Sequence, residues 1–309
     1  MTDETITRPA SRQTVAVIGL GSIGGIIAGS LCAAGRHDVI ACVRTPVRTL
    51  TVERPHDTIE TPLRCLTDPA EATVADWVLL STKAHQTAST APWLRRLCGA
   101  GTRVAVLQNG IGHAARLAPL VGEARVVPAI VYYNGERLGP DRMRFRLAGP
   151  HELAMPDDAD GRAFTALLDG TTMRLLLADD FTTLAWRKLL INIVVNPITT
   201  LTLQRQAVLR RDDVKALAIA LLEEAASVGT ADGARLEENE AERILAMLLT
   251  YPPEAGTSMY FDRLAGRPFE VEALTGSVVV AGERYGIPTP LNRMALTLLQ
   301  AISDVAAGE

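Results

Sequence analysis

The chain has 309 residues, 48% of them hydrophobic and 21% charged, which gives it a sizeable core and sets it apart from disordered or fibrous proteins. Its formal net charge of −4 provides no electrostatic basis for binding nucleic acid or an anionic membrane. No window reaches the ~18 uninterrupted apolar residues of a membrane span, and Cys32, Cys42, Cys65 and Cys98 lack C-x-x-C spacing, so free thiols in a reducing cytoplasm are expected.

The start, Met1 to Arg12, is polar and lacks the apolar run of a signal peptide, which predicts a frayed extension. Thr14 to Ile18 then reads as a fully buried strand, followed without a gap by Gly19-Leu20-Gly21-Ser22-Ile23-Gly24. A helical stretch from about Ser22 to Ala34, closed by Gly35, leads to a second strand from Asp38 to Val43. In this β-α-β context G-x-G-x-x-G is a dinucleotide fingerprint. Its glycines allow a tight turn, backbone approach to a pyrophosphate and close helix–strand packing, and the helix start offers N–H groups to the anion. An acidic residue after the second strand would bind the ribose 2′-hydroxyl of NAD. Here Arg44 stands there, with Arg48 close behind, and a guanidinium suits the 2′-phosphate of NADP(H).

Ala75 to Ser81 and Arg103 to Leu107 are two further strands. Lys83 and Asn109-Gly110 lie in the loops at their carboxyl ends, where open α/β sheets bind ligands. From Ala124 to about Leu176 come short strands with Gly and Pro turns, such as Leu138-Gly139-Pro140-Asp141, and a short helix near Ala163 to Leu168; these are expected to extend the sheet. After Ala178-Asp179-Asp180 the pattern becomes helical. The boundary therefore separates an α/β Rossmann-type dinucleotide-binding domain, 1–179, from an all-α domain, 180–309.

Just past the boundary, Trp186 to Pro197 reads as a helix apolar on nearly every side, interrupted by Lys188, Asn192 and Asn196. A step of four residues drifts only ~40° around a helix, so the three form one polar stripe. Unpartnered buried polar groups are costly, so the stripe either pairs with other side chains or lines a cleft for a small polar ligand; the cleft is the expectation here. Lysine occurs only at Lys83, Lys188 and Lys215, and a lysine, unlike an arginine, can be tuned to give up a proton. Helices are predicted over Val214 to Val228 and Glu237 to Leu249, the latter broken by Tyr251-Pro252-Pro253. The next begins near Phe269-Glu270, placing Glu270 in a first turn, where the helix dipole alone would favour a carboxylate. The five histidines show no metal-ligand spacing.

Together the glycine turn, Lys83, Asn109-Gly110, Lys188-x-x-x-Asn192-x-x-x-Asn196-Pro197, Ser258-Met259-x-x-Asp262 and Glu270 occur in an order and spacing that resembles the ketopantoate reductase (2-dehydropantoate 2-reductase) family, from about residue 14 to residue 295. The resemblance implies a cleft between the two domains and NADPH-dependent reduction of a 2-keto acid to a 2-hydroxy acid, on the route to pantothenate and coenzyme A. By it, Lys188 would be the proton donor, Asn192 and Asn196 would hold substrate polar groups, and Ser258 the carboxylate. Asn109 would touch cofactor and substrate, Lys83 would lie beside the cofactor, and Glu270 would orient Lys188 or the ligand's polar end. It also leaves room for a homodimer through the helical domain. One departure stands out: the family's further substrate-contacting asparagine, followed by glycine, is replaced by Gln206-Ala207. A glutamine amide reaches one methylene further, which leaves the identity of the 2-keto acid open. The competing readings are a reductase for a bulkier 2-keto acid, a 3-hydroxyacid dehydrogenase, and a non-catalytic NADP sensor.

Overall fold

The apolar run Thr14–Ile18 (β1) sits at the centre of a parallel sheet, where a strand covered on both faces needs no polar alternation. The computed structural model describes residues 12–147 and 149–308, so the predicted N-terminal extension lies, apart from Arg12, outside the described residues. The chain forms two compact units, divided in sequence between Asp179 and Asp180, with the short loops 83–86 and 109–112 grouping with the second unit.

In the first unit, α1 (Ser22–Ala34) leads to β2 (Asp38–Cys42), and Gly35 ends the helix in the left-handed region. Then come β3 (Thr49–Glu53), β4 (Thr58–Pro62), β5 (Arg64–Leu66), β6 (Trp77–Leu80), α2 (Ala91–Leu97), β7 (Arg103–Val106), α3 (His113–Val121) and β8 (Arg125–Pro128). β5, β2, β1, β6, β7 and β8 form a six-stranded sheet in that order, every neighbouring pair parallel.

The region after Ala124 corrects the expectation of one continuous sheet. Among the described residues of this region only β8 joins the main sheet. β9 (Ile130–Val131), β12 (Leu153–Pro156) and β13 (Leu175–Ala178) form a separate three-stranded sheet, with α4 (Ala159–Leu167) between the last two. β10 (Asn134–Arg137) and β11 (Arg142–Arg146) join β3 and β4 in a four-stranded sheet. The strands NGER and RMRFR carry too many charges for the doubly covered interior of a parallel sheet. This second sheet packs on α1 instead. Gly25 and Gly29 let it come close, since a Cβ at either would lie 2.7 Å from Met143 or Val52. Buried against strands on both sides, α1 is apolar all round.

The second unit is built round α5 (Phe181–Thr202), capped by Asp180, whose carboxylate accepts the Thr183 N–H at 3.1 Å. Trp186, Leu189, Leu190, Ile193 and Val194 are buried in one core with residues of α6 (Asp212–Ala231) and α7 (Glu240–Leu249). α8 (Ser258–Leu264), α9 (Ser277–Tyr285) and α10 (Pro290–Ala307) complete it, with one π-helical turn, Glu272–Gly276, leading into α9. Among the described residues no helix is long and apolar enough to cross a membrane. The four cysteines are free, and burial raises the thiols of Cys32 and Cys98 to about 11 and that of Cys42 to about 12, which leaves them unreactive at neutral pH.

Candidate active site

In the first unit the glycine turn has the three features its spacing predicts. Gly19 adopts φ +97°, a conformation open to glycine but strained for other residues. A Cβ on Gly21 would meet nothing within 4 Å, so the backbone is open to an approaching group at the start of α1. A Cβ on Gly24 would fall 2.0 Å from the Gly19 carbonyl oxygen and 2.2 Å from Ser81 Oγ, which shows how tightly helix and strand meet. Ser81 Oγ also donates to the Gly19 carbonyl at 2.8 Å and so pins the turn to the end of β6. Leu20 is buried, Ser22 and Ile23 half-buried. Arg44 and Arg48 stand exposed beyond the end of β2, and their side chains make no ion pair among the described residues.

In the second unit the stripe on α5 is partnered along its length. Lys188 Nζ donates to Asn109 Oδ1 at 3.2 Å. Asn196 Nδ2 donates to Asn192 Oδ1 at 3.2 Å, and Asn196 Oδ1 accepts the Met259 N–H at 3.4 Å. Asn196 is buried; Lys188 and Asn192 are half-buried. Burial lowers the Lys188 ammonium to about 8, against the pull of the Glu270 carboxylate, which acts to raise it.

Glu270 departs from expectation in two ways. It lies ahead of the π-helical turn, outside the first turn of α9, and what holds its carboxylate is side chains and one backbone N–H. Oε1 accepts the Ala84 N–H at 3.0 Å, while Oε2 accepts Lys83 Nζ at 3.2 Å and Asn109 Nδ2 at 3.4 Å. Its hydrogen-bonded link to Lys188 therefore passes through Asn109, whose amide donates to the carboxylate and accepts from the ammonium. Burial alone would raise the Glu270 carboxyl; Lys83, the Ala84 N–H and Asn109 outweigh it and hold the group below its ordinary range. Lys83 shows the converse, since burial would lower its ammonium but Glu270 and Asp262 raise it. Gly110, at φ +97°, makes the loop's close approach possible: a Cβ there would lie 2.0 Å from the carbonyl oxygen of Ala273 in the π-helical turn.

Ser258 is exposed at the first position of α8, one residue before the Met259 N–H held by Asn196. Gln206 is buried in a short 3₁₀ turn, its backbone N–H bonded to the Ala255 carbonyl and its Oε1 without a partner among the described residues. Asp262 is the residue that the sequence placed in a motif but gave no role. It belongs to the Ser-Met-x-x-Asp element, is buried, and accepts Lys83 Nζ at 3.0 Å and Arg267 Nε at 3.0 Å. The one signal for it was its position, four residues after Ser258 and thus on the same face of a helix.

Comparison with known proteins gives the family. The profile of the family "Ketopantoate reductase PanE/ApbA" matches residues 15–158, and that of "Ketopantoate reductase PanE/ApbA C terminal" matches residues 180–303. The chain is 36% identical over 288 residues to a 2-dehydropantoate 2-reductase of Caulobacter vibrioides, covering 93% of this chain and 98% of that one. Its fold resembles a PanE/ApbA family ketopantoate reductase from Ralstonia eutropha JMP134, with a TM-score of 0.84, 28% identity, and coverage of 95% of this chain and 99% of that one. A dimeric ketopantoate reductase from Staphylococcus aureus gives a TM-score of 0.83 at 26% identity, with the same coverage. With both halves matched and a relative above a third identical along nearly its whole length, the chain belongs to the ketopantoate reductase family and is an oxidoreductase of the 2-dehydropantoate 2-reductase type.

Proposed function

We propose that this protein reduces 2-dehydropantoate to pantoate with NADPH, with Lys188 as the proton donor. The observation that carries the reading is the Lys188–Asn109 pair: an ammonium lowered to about 8 and held by a neutral amide. The Asn109 amide orients the ammonium, and a group lowered to about 8 can pass its proton on near neutral pH. When bound, NADPH supplies the hydride. Hydride addition builds negative charge on the keto oxygen, which Lys188 both stabilises and protonates. Asn192 presents its half-buried carboxamide to the substrate's hydroxyl and neighbouring polar groups, the buried Asn196 serves the same site by holding that amide through its own Nδ2, and Ser258 offers a hydroxyl to the substrate's carboxylate. Glu270 fixes the Asn109 amide so that its oxygen faces Lys188, and Lys83 places a cation beside the cofactor.

The residues of the first unit suit a dinucleotide: Gly19, Leu20, Gly21, Ser22, Ile23 and Gly24 form the turn for the pyrophosphate, with open space at Gly21. The exposed guanidiniums of Arg44 and Arg48 favour NADP(H). Losing one charge-assisted bond costs about 1.5–3 kcal/mol, so Arg44→Ala should weaken NADPH by roughly ten- to hundredfold and leave NADH nearly unchanged. Fluorescence titration of both cofactors measures this, and equal losses would sink the assignment. The dimeric Staphylococcus aureus relative supports a homodimer, and we assign its contact to the helical unit. Free thiols suit work in the cytoplasm.

The decisive assay follows NADPH oxidation with 2-dehydropantoate beside other branched 2-keto acids and 3-hydroxy acids. Saturation by 2-dehydropantoate in the roughly micromolar-to-millimolar range, and by no other compound, is the expected result; no turnover with any of them would overturn the proposal. Gln206 favours a second reading, a reductase of this family for a different 2-keto acid. Its buried, unpartnered Oε1 stands where the family carries an asparagine, and the same panel decides between the two.

A further inference from the structure

Six side chains of the second unit follow one another in contact: Arg267, Asp262, Lys83, Glu270, Asn109 and Lys188. Four of them are accounted for above. Asp262 and Arg267 are not, although Asp262 is one of the few buried carboxylates among the described residues.

We propose that Asp262 is a positioning residue of the reductase, which holds the Lys83 ammonium between two carboxylates so that Glu270 stays committed to Ala84 and Asn109. A lysine is a compact charge on a flexible four-carbon stem, and one partner fixes its distance but not its direction. Asp262 on α8 and Glu270 ahead of the π-helical turn approach Lys83 Nζ at 3.0 and 3.2 Å and fix it from two separate segments. Arg267 anchors Asp262 in turn, its Nη2 2.9 Å from Oδ1, which leaves Oδ2 for the lysine. With Asp262 neutral, Lys83 has one carboxylate left and closes on Glu270 Oε2, the oxygen that also accepts from Asn109. Asn109 then loses the partner that turns its own oxygen toward Lys188.

Holding α8 in place does not require Asp262. Thr257 caps that helix by accepting the Tyr260 N–H at 3.2 Å, Thr257 and Thr199 hydroxyls meet at 2.9 Å, and Met259 and Tyr260 are buried. A carboxylate at this point is thus a charge placed for Lys83 and Arg267.

The inference rests on the proposed function, and its test separates the two. The experiment is a double-mutant cycle of Asp262→Asn and Lys83→Met, read by NADPH binding in a fluorescence titration, by kcat and KM for 2-dehydropantoate, and by thermal melting. D262N alone should weaken NADPH by about tenfold and lower kcat by about tenfold, in protein that still melts cooperatively. On the K83M background D262N should add less than about twofold to either loss, because the residue it acts through is gone. Additive losses, or a D262N protein that differs from wild type in melting temperature alone, would overturn the proposal. D262S, read by the same cycle, serves if D262N does not fold. Wild-type protein that binds NADPH but turns over no keto acid would defeat the functional reading and leave the binding half of the cycle able to test Asp262.

Discussion

Lys188→Met is expected to abolish most of the activity and at the same time to raise the melting temperature. A positioned acid contributes about 10²–10⁴ in rate, so kcat should fall by that factor while NADPH, for which the proposed seat is the glycine turn, should bind as before. The gain in stability comes from the same feature that makes the lysine useful. Its ammonium is lowered to about 8 by burial, so at neutral pH the folded protein carries a charge that its surroundings disfavour. Methionine keeps the stem and removes the charge. One pKa unit corresponds to about 1.4 kcal/mol; discounting for the half-exposed position and for the acceptor left on Asn109, the gain is about 1–2 kcal/mol, or a few degrees. The pH dependence has a definite sign. For a lysine whose folded pKa is depressed, the unfolded chain binds more protons between about 8 and the ordinary lysine value, so wild-type stability rises with pH across that window. The advantage of the variant should be full below pH 8 and shrink above it. A variant less stable than wild type at pH 7 would show that the lysine is held by more than it costs.

The second expected result concerns Glu270→Gln, which should lower kcat/KM by roughly ten- to hundredfold, the cost of about one charge-assisted hydrogen bond. The isosteric amide keeps an oxygen for the Ala84 N–H but removes the charge that Lys83 and Asn109 share. It also removes a Coulombic influence that raises Lys188, so the basic limb of the pH–rate profile, expected near 8 in the wild type, should move to lower pH. An unmoved limb would mean that the carboxylate does not act on the proton donor. Stability provides an independent reading. The Glu270 carboxyl is held below its ordinary value, so the stability it contributes is present above that value and disappears as pH falls through the folded one. Melts of wild type and variant should therefore differ at pH 7 and converge in acid.

These two residues also show where reasoning from sequence succeeded and where it could not. The stripe of Lys188, Asn192 and Asn196 was legible because helical periodicity is local: three polar residues four apart on an apolar helix must share a face. The glycine turn was legible for the same reason, since backbone strain and close approach at Gly19 and Gly24 depend on residues within one β-α-β unit and the strand beside it. The partners of Glu270 were not. Lys83 lies 187 residues away in sequence and Asn109 161, and nothing in the local pattern says which distant cation will meet a buried carboxylate. A carboxylate near a helix start looks the same whether the dipole or a lysine holds it. The π-helical turn was equally hidden, because the helix begins with it and no earlier turn sets a phase against which the extra residue could be read. The strands β10 and β11 read correctly as strands, yet their sheet depended on which surface accepts charged residues, a matter settled by α1 and β3.

By itself, then, the amino-acid order determined the two-part architecture, the strand–glycine–helix turn and the polar stripe on α5, because each is written in spacings of a few residues. The tertiary structure alone decided that Asn109 stands between Lys188 and Glu270, and that Asp262 shares Lys83. Buried charges find their partners through the path of the whole chain, and electrostatic pairing, unlike periodicity, leaves no trace in the order of neighbours.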